Sequence, residues 1–210
     1  PEIDTDDEDN EEYVKNWKNK WFENNEEYIK KMGESGKAFI MVDVSAYSAD
    51  ELIKMDNETI VKTLNEFQQG NKGESPNERG LANELLSAVS REPDRFLRSL
   101  TPFLNLRSFY LAELLQGLVN YVNKNAGTIE FESIITFLKG ITGKIESIIE
   151  QSISDQGEDY RTDHIWVLNM AFDLIASMAK KEKNIPKNHI LPLFEVTSNL
   201  IGKYSVFLKE

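Results

Sequence analysis

The nearest approach to a phosphate-binding loop in this chain is Gly33-Glu-Ser-Gly36-Lys37-Ala38. A loop of the G-x-x-x-x-G-K-[ST] type needs a glycine five positions before the second one, where Lys31 stands here. It also needs a hydroxyl after the lysine for magnesium, and Ala38 has none. Phe39-Ile-Met-Val-Asp43 imitates a strand ending in a magnesium aspartate, but no other segment offers a parallel sheet around it. The stretch reads as a connector into a buried segment. Asp4, Asp6, Glu8 and Asn10 alternate like calcium ligands, yet a helix-loop-helix calcium site wants Gly at the sixth position and Glu at the twelfth. Counting from Asp4 gives Asp9 and Lys15.

His164 and His189 are the only imidazoles, and each falls near the start of its own helix. Consecutive antiparallel helices put those starts at opposite ends, on the order of 30 Å apart, so the pair cannot act together. With no cysteine there is no disulfide framework, thiolate zinc site or thiol nucleophile. These residues assign no catalytic, cofactor or metal position.

Two groups could bind a partner. Arg91, Arg95 and Arg98 are spaced i, i+4, i+7, and five of the six arginines lie between 79 and 107. Such a face could receive a carboxylate, a phosphate or an acidic peptide. It reads more readily as a solvated face balanced by Glu84, Glu92, Asp94 and Glu113, with Pro93 interrupting the helix. Arg95→Ala should then cost little. Trp17 and Trp21 stand on an otherwise polar helix, either as binding anchors or as the face that packs on its own domain.

The elements that must position these residues are helical. Residues 11–32 carry a sparse stripe of Tyr13, Val14, Trp17, Trp21, Tyr28 and Met32, and Ala38–Val42 is an apolar run. Ser48 or Asp50 can cap a short helix through Leu52 and Ile53, and Asp56 the next, with Ile60, Val61, Leu64 and Phe67 on its apolar face. Residues 69–78 hold two Gly and a Pro and read as an exposed loop. Leu81, Ala82, Leu85, Leu86 and Val89 mark a helix stopped by Pro93. Phe96, Leu97, Leu100, Phe103 and Leu104 mark another, broken near Pro102. Leu111 to Val122 gives a full i, i+3, i+4, i+7, i+8, i+11 stripe, ended by Asn125-Ala-Gly127. Helices over 130–153, from Thr162 or Asp163 to Met178, and from Asn188 to about Phe207 complete the chain, with Pro192 in the first turn of the last.

One offset relates the last four helices. Shifting by 56 residues takes Leu111, Leu114, Leu115, Leu118, Val119 and Val122 onto Val167, Met170, Ala171, Leu174, Ile175 and Met178. The same shift takes Ile134, Ile135, Leu138, Ile145 and Ile148 onto Ile190, Leu191, Phe194, Ile201 and Tyr204. One helical hairpin follows another of the same pattern, with Leu138 and Phe194 in equivalent inward positions.

Ser48-Ala-Asp-Glu-Leu52, Gly80-Leu81-Ala82 with Pro93-Asp-Arg-Phe96, and Tyr110-Leu-Ala-Glu-Leu-Leu-Gln-Gly-Leu118 carry a family resemblance. Over residues 48–210 the chain resembles the HEAT-like α-helical repeats of large bacterial multidomain proteins, although its spacing exceeds their usual period of about 40 to 47. The resemblance implies a scaffold or sensing surface beside an enzymatic module.

Charge and length set the remaining bounds. The chain has 210 residues and a net charge of -12; residues 1–34 alone hold twelve acids against five lysines. That balance repels nucleic acid and anionic membrane. No apolar run approaches the roughly 18 to 20 residues that cross a bilayer. The expectation is an all-α, irregular α-solenoid of about seven to nine helices. It comprises an acidic helical arm and connector (1–45) and a helical-repeat domain (46–210). Its expected function is non-catalytic protein interaction or scaffolding within a larger cytoplasmic protein. The partner is another protein or another domain of the parent chain. The alternative is an accessory domain of an NTPase, nuclease or NAD-using enzyme.

Overall fold

The computed structural model describes residues 44–68, 76–124, 129–154, 163–181 and 185–207. The chain divides into Pro1–Val42 and Asp43–Glu210, and every described residue belongs to the second unit. The acidic run, the aromatic stripe with Trp17 and Trp21, and the Gly33–Lys37 segment lie outside the described residues. So do Asn125–Gly127 and the turn after Ser154.

Among the described residues there are eight α-helices, one 3-10 helix and no strand. They are α1 (Ala49–Lys54), α2 (Asn57–Glu66), α3 (Glu78–Arg91), α4 (Pro93–Leu97), α5 (Ser108–Lys124), α6 (Phe131–Ser154), α7 (Asp163–Ala179) and α8 (Lys187–Phe207). The 3-10 helix Thr101–Asn105 lies between α4 and α5.

Local chemistry sets the early boundaries. Ser48 opens α1 with a capping box: its side chain accepts from Glu51 N, and the Glu51 carboxylate accepts from Ser48 N at 2.8 Å. Asp56 caps α2 through Thr59 N at 2.7 Å, and Asn77 caps α3 through Gly80 N at 2.7 Å. These hydrogen bonds hold the Glu51 and Asp56 carboxyls below their ordinary range. Two proline readings need correction. The helix after Pro93 ends at Leu97, well before Pro102, and Pro102 instead sits in the first turn of the 3-10 helix. Pro192 lies inside α8, because that helix starts at Lys187; its missing N–H removes a bond to the Asn188 carbonyl.

Packing follows an alternating rule. Helix α1 packs on α3, α3 on α5, and α5 on α7; α2 packs on the 3-10 helix, which packs on α6, and α6 packs on α8. The result is a solenoid-like stack of two rows, α1–α3–α5–α7 and α2–3-10 helix–α6–α8. Side chains show the sense of the stack. Arg107 and Glu78 join the starts of α5 and α3 at 2.6 Å, while Asn120 and Ser90 join their later turns at 3.3 Å, so α3 and α5 are parallel. His189 meets Glu132 near the starts of α8 and α6, and Lys203 meets Glu146 further along, so these two are parallel as well. The Ser108 hydroxyl donates to the Ile148 carbonyl at 3.4 Å, which sets α5 antiparallel to α6.

Close approach is needed where the chain enters the stack. A Cβ on Gly80 would overlap the Val44 carbonyl, the acceptor of the Asn77 N–H at 2.8 Å. Gly117 plays the same part deeper in, where a Cβ would stand 2.7 Å from a Val89 methyl, letting α5 lie close on α3.

The 56-residue offset holds for the first helices of the two hairpins, except that Leu114 is buried and Met170 only partly so. Leu111, Leu115, Leu118, Val119 and Val122 are buried, and so are Val167, Ala171, Leu174, Ile175 and Met178. It does not hold for the second helices. Ile134, Ile135, Leu138 and Ile145 are buried on α6, whereas Ile190, Leu191, Phe194 and Ile201 are exposed on α8. Leu138 and Phe194 are therefore not equivalent inward positions. The reason is position in the stack: α6 lies between the 3-10 helix and α8, while among the described residues α8 packs mainly on α6 and to a smaller extent on α7.

Leu118→Ala and Leu174→Ala should each cost roughly 2 to 5 kcal/mol, since both side chains are fully enclosed. Urea unfolding followed by circular dichroism measures it. A loss under about 1 kcal/mol in either variant would contradict the packing described.

Candidate functional site

The arginine cluster comes first, because its spacing singles it out. The structure spreads it over two helices. Arg91 ends α3 and donates to Asp50 of α1 at 2.6 Å, with both side chains more than half exposed. An ion pair in that setting contributes little stability, about 0 to 1 kcal/mol. Arg95 lies on α4, donates to the Asn57 side-chain oxygen at 2.5 Å, and stacks its guanidinium 4.3 Å from the Phe96 ring centroid. Asn57 is buried and donates in turn to the Ser99 carbonyl at 2.6 Å and the Phe96 carbonyl at 3.4 Å. Arg95 and Asn57 thus tie the start of α2 to the end of α4. Burial, ahead of the nearby charges, pulls the Arg95 guanidinium below its ordinary value. Arg98 is exposed at the end of α4.

Arg107 forms a second tie. It pairs with Glu78, donates to the Leu64 carbonyl at 3.3 Å and the Tyr110 hydroxyl at 3.4 Å, and lies 5.1 Å from the Tyr110 ring centroid. One side chain so joins α2, α3 and α5. Its Nε is buried and has no hydrogen-bond partner among the described residues. Burial pushes the Tyr110 hydroxyl up to about 12, against the opposing pull of Arg107. Glu113 of α5 is raised too, first by burial, with Arg79 pulling it back.

Each histidine sits in the first turn of its own helix: His164 is the second residue of α7 and His189 the third of α8. The His189 ring stacks on Phe131 with centroids 6.3 Å apart and lies 3.8 Å from Glu132. Among the described residues no group of three or more His, Asp or Glu side chains could hold a metal ion, and no helix is long and apolar enough to cross a membrane. A shallow groove between α2 and the 3-10 helix, lined by Glu58, Val61, Lys62 and Pro102 among others, brings together no set of catalytic groups.

The apolar side of α8 stands apart from these features, because the repeat pattern places its residues inside. Leu193, Val196 and Leu200 face the core, while Ile190, Leu191, Phe194 and Ile201 are 54 to 68% exposed. At 100° per residue the exposed group sits about a third of a turn round the helix from the buried one. Helix α8 therefore has two apolar stripes and covers only one. Trp166 of α7 is also exposed, at 48%. The sequence signal was present, since Leu191, Phe194, Ser198 and Ile201 follow the 3-4-3 spacing of a helix–helix seam.

Asn57→Ala should cost about 1 to 3 kcal/mol by leaving two carbonyls and Arg95 unpaired. Arg95→Ala should cost more than the surface expectation, and Arg98→Ala should stay within about 0.5 kcal/mol. Thermal melts of the three variants test that order. Glu113 adds a pH dependence. A carboxyl raised in the fold weakens the folded state once pH exceeds its unfolded value, and not below it. Glu113→Gln should therefore raise the melting temperature at pH 7, with the gain vanishing by about pH 4. A gain that persists in acid would assign it to packing.

Comparison of the chain with protein-family models, curated proteins and solved structures finds no match.

Proposed function

We propose that this chain is a non-catalytic protein-interaction or scaffold module, a HEAT-like stack of helical hairpins working within a larger cytoplasmic protein. The observation that carries this is the second apolar stripe on α8. Soluble proteins rarely leave a contiguous patch of large apolar side chains in water unless it meets another surface. Here the residues are Ile190, Leu191, Phe194 and Ile201, and their counterparts one repeat earlier, Ile134, Ile135, Leu138 and Ile145, are all covered by neighbouring helices. A face built to the same pattern is suited to the same kind of neighbour. The arginines favour this reading indirectly, since Arg91, Arg95 and Arg107 are occupied within the stack.

Replacing Phe194 with a photo-crosslinking phenylalanine analogue tests the proposal in cells expressing the chain. Irradiation should give a discrete protein adduct, while the same replacement at exposed Glu58 should give none. Equal or absent adducts at both positions would remove the α8 face as a docking surface.

A further inference from the structure

We infer that the α8 face is occupied by the α8 face of a second copy of this chain, forming a two-fold symmetric dimer with the two helices antiparallel. The inference rests on the interaction-module reading and adds the identity of the partner.

Three observations select a second copy. The first is self-complementarity. The exposed seam reads Leu191, Phe194, Ser198, Ile201. A two-fold axis passing beside residue 196 sets Leu191 opposite Ile201 of the partner subunit, and Phe194 opposite Ser198 of the partner subunit. A large ring then meets a small side chain, and two aliphatic side chains of similar size meet each other. An interface between identical copies requires that match.

The second observation is charge. The chain carries -12, so most of its surface repels another copy. Residues 164–205 are different, with Lys180, Lys181, Lys183, Lys187 and Lys203 against Asp173, Glu182 and Glu195. Two copies can approach through this hairpin without the repulsion they meet elsewhere. Antiparallel helices also set opposite ends of their dipoles side by side.

The third is area. The four α8 side chains expose on the order of 400 Å² of apolar surface, judged from what such side chains bury in cores. A standard interface takes roughly 800 Å² from each partner, of which the centre is apolar and the rim polar. The seam therefore supplies an interface core.

Sedimentation velocity on the 210-residue chain is the test, run over a concentration series with helicity checked by circular dichroism. The expected result is a dimer of twice 24.1 kDa, weakened more than about tenfold by Phe194→Asp with helicity unchanged. The absence of cysteine permits a second measurement of geometry. Leu191→Cys mixed with Ile201→Cys should oxidise to the mixed disulfide faster than either variant alone forms its own dimer. A monomer throughout the series overturns the second copy as occupant. The photo-crosslinked adduct at Phe194 would still stand in that case, so the interaction-module reading would survive. A dimer that Phe194→Asp leaves intact places the interface elsewhere and also overturns the inference. Faster same-position disulfides would mean parallel helices and overturn the geometry.

Discussion

A helix in a stack has two flanks to cover, and the arrangement of this protein follows from how each flank is met. Contacts run along two rows of helices, so α3 lies between α1 and α5, and α5 between α3 and α7. An inner helix must then be apolar over most of its circumference. Helix α5 is so: Tyr110, Leu111, Ala112, Leu114, Leu115, Leu118, Val119, Tyr121 and Val122 are all buried. Helix α6 shows the same breadth from Ile134 through Ile149. The hydrophobic effect scales with covered area, so such a helix is stable only while both neighbours are in place. Among the described residues, α8 keeps that composition while one of its flanks is exposed.

Polar contacts fix the register that this packing leaves free. Apolar stripes slide past one another at small cost, whereas an unmet buried polar group costs about 1 to 3 kcal/mol. Arg107 reaches Leu64, Glu78 and Tyr110 from one side chain, and Asn57 holds the Phe96 and Ser99 carbonyls while accepting from Arg95. Both sit where helices are short or broken, at α2, α4 and the 3-10 helix. Long helices such as α5, α6 and α7 need fewer such ties, since their apolar contact is extensive.

How much of this is legible in the sequence depends on whether the signal is local. Ser48 and Asp56 act on donors within three residues, so those caps can be read directly, while Asn77 caps the same way from within the stretch read as a loop. The periodicity of Leu111 to Val122 is likewise complete within one helix. Pro102 misled because the α-helix had already ended at Leu97, and the proline opens a tighter turn instead. Arg91 and Arg95 look like neighbours on a face only if one helix carries both, yet their partners Asp50 and Asn57 stand 41 and 38 residues away. No spacing rule reveals a contact of that range.

The offset of 56 residues has the same limit. Periodicity reports which residues are apolar, and it cannot report what covers them. Helix α8 keeps the residue types of an inner helix at Ile190, Leu191, Phe194 and Ile201, so sequence alone places them inside. Only the stack, with α6 and α7 on one side of α8 and nothing described on the other, turns the same residues into an exposed face. The divergence from the earlier repeat is informative for that reason. At the offset of 56, Phe194 stands where the earlier helix has Leu138, and Thr197 and Ser198 stand where it has Ile141 and Thr142, a larger ring beside smaller polar side chains. An inner helix gains nothing from that contrast of sizes. A helix that meets its own two-fold mate does, because each ring then falls beside the small side chain of the other.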